Sequence, residues 1–270
     1  MTSQPGAEHL MARRDRLWVA GLVLAVAALA WAYTIHQAQL KQGMDAAMIR
    51  DIAMPMNDRP ASWSAVDAFL IYLMWTMMMA AMMLPAASPM LTAFATINRR
   101  RRERQAPDVP TIIFLFGYLF VWSGFALLAT VLQWALQSAG LLTAMMQSAS
   151  TVLSAALFLV AGLYQFSPLK ERCLAYCRSP QSFILSEWRD GSPGAAVMGM
   201  RHGLFCMGCC VALMALLFAV AVMDLRWVAA LTALVAIEKL LPAPRFWRMG
   251  IGFVLLAIGT WFAGVSLRPA

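Results

Sequence analysis

The stretch Met198–Met214, MGMRHGLFCMGCCVALM, decides how the chain is read. It is apolar enough to be a membrane-spanning helix, yet it contains a histidine and three cysteines. At 100° per residue, His202, Cys206 and Cys209 fall within about 60° of one another, with Met198 close behind and Cys210 at the edge of the same face. One stripe of soft donors results. An ionisable residue inside a membrane is costly enough to mark a functional site, and thiolate with thioether is the ligand set that selects monovalent copper. A lone histidine in such a helix is as readily a hydrogen-bonded packing residue. With three cysteines on neighbouring turns, ligation is the better reading.

The rest of the composition agrees with a polytopic membrane protein. Of 270 residues, 61% are hydrophobic and 13% charged, and the mean hydropathy is +0.68, far above soluble domains. The five cysteines are an odd number clustered at Cys173/Cys177 and Cys206/Cys209/Cys210, which argues against a disulfide framework. A net charge of +8 raises the question of nucleic acid. The basic residues sit in short connections between apolar runs, however, where topology and anionic membrane lipid account for them. No nucleic-acid partner is expected.

Seven apolar runs predict an all-α, polytopic transmembrane bundle: 17–35, 67–97, 111–136, 150–166, 196–223, 227–241 and 249–267. Residues 1–16 form an N-terminal cytoplasmic tail and 17–270 a single transmembrane domain, with an external loop at 36–66 and cytoplasmic loops at 98–110 and 167–195. Ala28-Leu29-Ala30 resembles a signal-peptidase site, but the first run is longer than a signal core, so an uncleaved helix is expected. In this topology sixteen Lys and Arg residues lie inside, five of them within Arg99–Arg104, against five outside. That asymmetry predicts an N-terminus in the cytoplasm and, for a helical bundle, an inner (cytoplasmic) membrane.

Beyond the opening stretch, three segments carry soft donors. The second run holds six methionines within ten residues, Met74, Met77, Met78, Met79, Met82 and Met83. Met74, Met78 and Met82 share one face with Met77 beside them, while Met79 and Met83 lie on the far side. Pro85 and Pro89 free the carbonyls of Ala81 and Pro85, which then need partners. In the 167–195 loop, Cys173 and Cys177 share a helical face and could hold one ion, or be spectator thiols. Phe183-Ile184-Leu185 with Trp188 could lay this loop on the inner leaflet. Met44, Met48, Met54 and Met56 in the external loop suit either copper collection or interfacial anchoring. Glu238 and Lys239 end the sixth run, where Lys239 can snorkel to the interface and Glu238 needs a partner such as Arg201.

Four motifs carry a family resemblance: MWTMMMAAMMLP (74–85), YQFSPLKERCLAYCRSP (164–180), RHGLFCMGCCVALM (201–214) and ALVAIEKLLP (233–242). In this order they resemble a family of bacterial predicted metal-binding integral membrane proteins with a Met-rich and a Cys-rich helix. The resemblance carries no assigned reaction. It implies, by motif match, a ligand set of Met78, Met79, Met82, Met83, Cys173, Cys177, His202, Cys206, Cys209 and Cys210. One position departs: Val211 follows the Cys-Cys pair where an aromatic residue is expected.

Three functions fit these residues. The first is Cu(I) handling, by transport or by delivery to a membrane or periplasmic metalloprotein, with the second and fifth spans facing each other across the site. Zinc suits the donors less well, because its sites rarely use methionine. The second is a structural or assembly subunit of a larger membrane complex, in which Gly199, Gly203 and Gly208 permit close helix packing. The third is a thiol-disulfide protein using the Cys206-Met207-Gly208-Cys209 spacing. No carboxylate pair, phosphate loop or Ser/His/Asp arrangement supports hydrolase or nucleotide chemistry.

Overall fold

Each of the seven apolar runs contains a helix in the computed structural model, which describes residues 17, 20–40, 63–105, 109–142, 150–220, 222, 224–241 and 245–267. In chain order these helices are α1 (Ala20–Leu40), α2 (Ala65–Glu103), α3 (Thr111–Ser138), α4 (Thr151–Tyr164), α7 (Gly191–Ala215), α9 (Leu225–Leu240) and α10 (Arg245–Ser266). The 167–195 loop folds as α5 (Pro168–Arg178) and α6 (Pro180–Glu187), and α8 (Leu217–Val220) extends α7. No strand occurs among the described residues. The N-terminal tail and the methionines at 44, 48, 54 and 56 lie outside them.

Five helices, α1, α2, α3, α7 with α8, and α10, are each long and apolar enough to cross a membrane. The pair α4 and α5, bent by 65° at its break, passes the same test when taken together. The remaining predicted crossing, α9, has 16 residues and so rises only about 24 Å, short of a hydrocarbon core of about 30 Å. Large apolar side chains are turned outward, among them Phe116, Phe120, Leu128, Leu163 and Trp261, with Phe120 70% exposed. Such a surface suits lipid rather than water.

Inside, several polar groups pair across helices. Trp75 Nε1 donates to Gln133 Oε1 at 2.8 Å, tying α2 to α3. The helix α2 runs through Pro85 and Pro89, and both carbonyls that these prolines free are satisfied. Trp31 Nε1 of α1 donates to Ala81 O at 3.1 Å, and Ser88 Oγ donates to Pro85 O at 2.8 Å. Trp31→Phe keeps the ring but strands the Ala81 carbonyl, so a loss of about 1–2 kcal/mol is expected, read as a lowered unfolding midpoint in detergent. In the turn before α9, hydrogen bonds from Arg226 hold the Asp224 carboxyl below the usual carboxylate range.

The helices α3 and α7 pack backbone to backbone, and glycine is the reason. A Cβ on Gly199 would stand 2.0 Å from Phe114 O, and one on Gly117 would stand 2.2 Å from Ala196 O. Only hydrogen fits there, which lets the two backbones touch. The other principal contacts are α2 on α3, α5 on α7, and α4 on α10.

Two expectations about the charged ends are corrected. Phe183 and Ile184 are fully buried rather than spread on a leaflet, because α6 packs beneath the bundle against α2; Leu185 alone of that trio is exposed. Trp188 stacks on Phe94 with ring centroids 5.7 Å apart and lies under Arg101 at 4.8 Å, and that arginine also pairs with Asp190. Glu238 is not the partner of Arg201, which pairs with Glu187. It bonds instead to Lys170 Nζ of α5 at 2.8 Å, both side chains being almost wholly buried.

Candidate metal centre

The α3–α7 contact sets the height of the thiol stripe. With α7 pressed on α3, Tyr118 Oη lies 3.0 Å from Cys206 Sγ, and the Tyr118 ring stacks on His202, centroids 5.6 Å apart. Cys206, Cys209 and Cys210 are each no more than 2% exposed. The thiols of Cys209 and Cys210 donate back to Cys206 O at 3.0 and 2.9 Å, a local bond open to short polar side chains on a helix. The stripe read from the sequence is therefore an internal face of the bundle.

Two neighbouring helices bring sulfur to that face. From α5, Cys177 Sγ lies 3.9 Å from Cys209 Sγ. From α2, Met83 Sδ lies 3.8 Å from Cys210 Sγ. Two sulfurs held at about 2.3 Å from one ion sit about 3.8 Å apart at a tetrahedral angle and about 4.6 Å apart across a linear one. Both pairs are within reach of sharing an ion. Cys173 Sγ abuts Gly208, standing 2.8 Å from where a Cβ there would be, so glycine at 208 makes room for the second α5 thiol.

The ten sequence candidates thus separate. Cys177, Cys206, Cys209, Cys210 and Met83 are brought together, with Cys173 beside them. The second and fifth predicted spans come together at one pair, Met83 Sδ and Cys210 Sγ, and Met83 lies on the face of α2 away from Met74, Met78 and Met82. Met83 reaches the thiols, while Met78, Met79 and Met82 are fully buried in the same core. Because α2 has α3 on one side and α6 and α9 on others, both of its methionine faces are internal. His202 lies among Phe114, Tyr118 and Phe183, and its buried Nδ1 has no hydrogen-bond partner among the described residues. Among the described residues, no three His, Cys, Asp or Glu side chains group as a ready-made metal site. The arrangement offers sulfur pairs that include methionine rather than a closed four-ligand cage of the structural-zinc kind.

Three residues at this centre were not expected there from the sequence. Tyr118 comes from a helix without a cysteine, methionine or histidine. Tyr164 of α4 donates to Gly208 O, fixing the middle of the thiol stripe. Lys239 does not snorkel: it is 6% exposed, and its Nζ lies 2.9 Å from Cys206 Sγ. A signal for Lys239 existed, since Val228, Leu231, Val235, Glu238 and Lys239 follow helical i, i+3, i+4 spacing and form one buried stripe.

Residues 72–262 match the family model described as PpoB2, copper chaperone, a span that contains all four sequence motifs. No curated protein and no solved structure matches the chain.

Proposed function

The chain belongs to the PpoB2 copper chaperone family, and on that premise we propose that it is a membrane-embedded carrier of Cu(I). The ion is cargo. It is taken up on the cysteines of α5 and α7 and passed to the methionines of α2, for delivery to a membrane or periplasmic metalloprotein. One observation carries this reading: sulfur atoms from three helices lie at ligand-sharing separations, Cys177 with Cys209 and Cys210 with Met83.

The donor chemistry supports monovalent copper over zinc. Thiolate and thioether are soft ligands that Cu(I) accepts in low coordination numbers, whereas a structural zinc site needs four protein ligands. A carrier must also release its ion, which favours several weak or shared positions over one deep cage. Cys206, Cys209, Cys210, Cys177 and Met83 are the proposed ligands. Cys173 and His202 flank them, and Met78, Met79 and Met82 continue the soft surface along α2. The basic Arg99–Arg104 end of α2 faces the cytoplasm in this reading.

The test is metal content by inductively coupled plasma mass spectrometry on detergent-purified protein expressed with added copper under reducing conditions. Near-stoichiometric copper is expected in the unmodified chain and background copper in a Cys206/Cys209/Cys210→Ser variant. Absence of any transition metal from both, after anaerobic Cu(I) reconstitution, would sink the carrier reading and leave an assembly subunit in its place.

A further inference from the structure

The last turn of α9 places two opposite charges side by side in the interior and sends them to different helices. Glu238 Oε2 accepts from Lys170 of α5. Lys239 Nζ meets Cys206 Sγ of α7 at 2.9 Å, where Tyr118 of α3 touches the same sulfur. An ammonium carries three N–H donors and no lone pair, so the sulfur is the acceptor in the Lys239 contact. An incoming cation needs that sulfur's lone pairs too. Two positive charges a few ångströms apart repel strongly where water is excluded. Cargo and ammonium therefore compete for one atom.

A buried acceptor is left over on the same turn. Glu238 Oε1, one residue back along α9, is buried and has no hydrogen-bond partner.

Resting on the Cu(I)-carrier reading, we propose that Lys239 is a tethered cation that holds the Cys206 sulfur when the site is empty, yields it to cargo by moving towards Glu238, and speeds release by returning. The residue positions and displaces; it is not itself a ligand. Its presence makes the thiol cluster a site for handing copper on rather than storing it.

The experiment loads the purified full chain with Cu(I) anaerobically and follows capture by the chelator bathocuproine disulfonate in a stopped-flow spectrophotometer. At equal loading, Lys239→Met is expected to release copper about tenfold more slowly or slower still, and Lys239→Arg, which keeps the charge, within about threefold of the unmodified chain. Lys239→Gln keeps a donor without the charge and should be slow like Lys239→Met. Release from either uncharged variant at the unmodified rate, or faster, overturns the proposal. Loss of helical circular dichroism in both would overturn it as well, making Lys239 a structural strut. An unmodified chain that takes up no copper would instead show that the carrier reading itself has failed, and the proposal with it.

Discussion

Gly199→Ala, a change of one methyl group, is expected to abolish copper retention although residue 199 touches no ligand. The added Cβ would lie 2.0 Å from Phe114 O and 2.9 Å from Phe114 C. Both are backbone atoms of a helix and cannot rotate away. The helices α3 and α7 must then move apart by about 1 Å or more, at a cost of roughly 3 kcal/mol, the upper end for overpacking. Separation also withdraws Tyr118 from Cys206, because that contact spans the same interface. The expected results are a much lower unfolding midpoint in detergent and copper content near background. Gly124→Ala, on α3 with nothing within 4 Å of the added atom, should stay within about 0.5 kcal/mol of the unmodified chain. Equal stability of the two variants would mean that α3 and α7 do not touch at Gly199.

Lys170→Met is the second change with a large expected effect. Lys170 and Glu238 are 1% and 2% exposed, and removing the ammonium takes away the cation from which Glu238 Oε2 accepts, leaving Arg178 of α5 on the Glu238 backbone carbonyl. Breaking one side of such a pair costs about 3–5 kcal/mol. Restoring neutrality by adding Glu238→Leu should recover most of the loss, since apolar replacements for a whole buried pair are often neutral or better. Unfolding curves for the two single variants and the double variant close the cycle. Single variants that simply add up in the double would show that the pair does not couple.

The helical architecture was legible from hydropathy, because apolar runs of membrane length have few other uses. The thiol stripe was legible too. Cys206, Cys209 and Cys210 sit three and four residues apart, and local helix geometry alone puts them on one face. What escaped were the contacts that Lys239, Lys170 and Tyr118 make across the fold. Lys239 meets Cys206 across 33 residues, Lys170 meets Glu238 across 68 and Tyr118 meets Cys206 across 88. No periodicity encodes such pairings.

A second class of misreading has a different cause. Phe183 and Ile184 were assigned to a leaflet and proved buried, and hydropathy did not tell which methionines of α2 stand nearest the thiols. In a water-soluble protein, hydrophobicity separates inside from outside. Where the surroundings are themselves apolar, Met78 on one side and Met83 on the other look alike, and only packing tells them apart.

The sulfurs of the centre belong to three separate helices, and this has a mechanical consequence. An ion bridging Cys177 and Cys209 clasps α5 to α7, and one bridging Cys210 and Met83 clasps α7 to α2. An empty molecule lacks both clasps, so its α5–α6 hairpin is the freer. On the proposed carrier reading, full and empty molecules would thus differ in stiffness at the α5–α6 end.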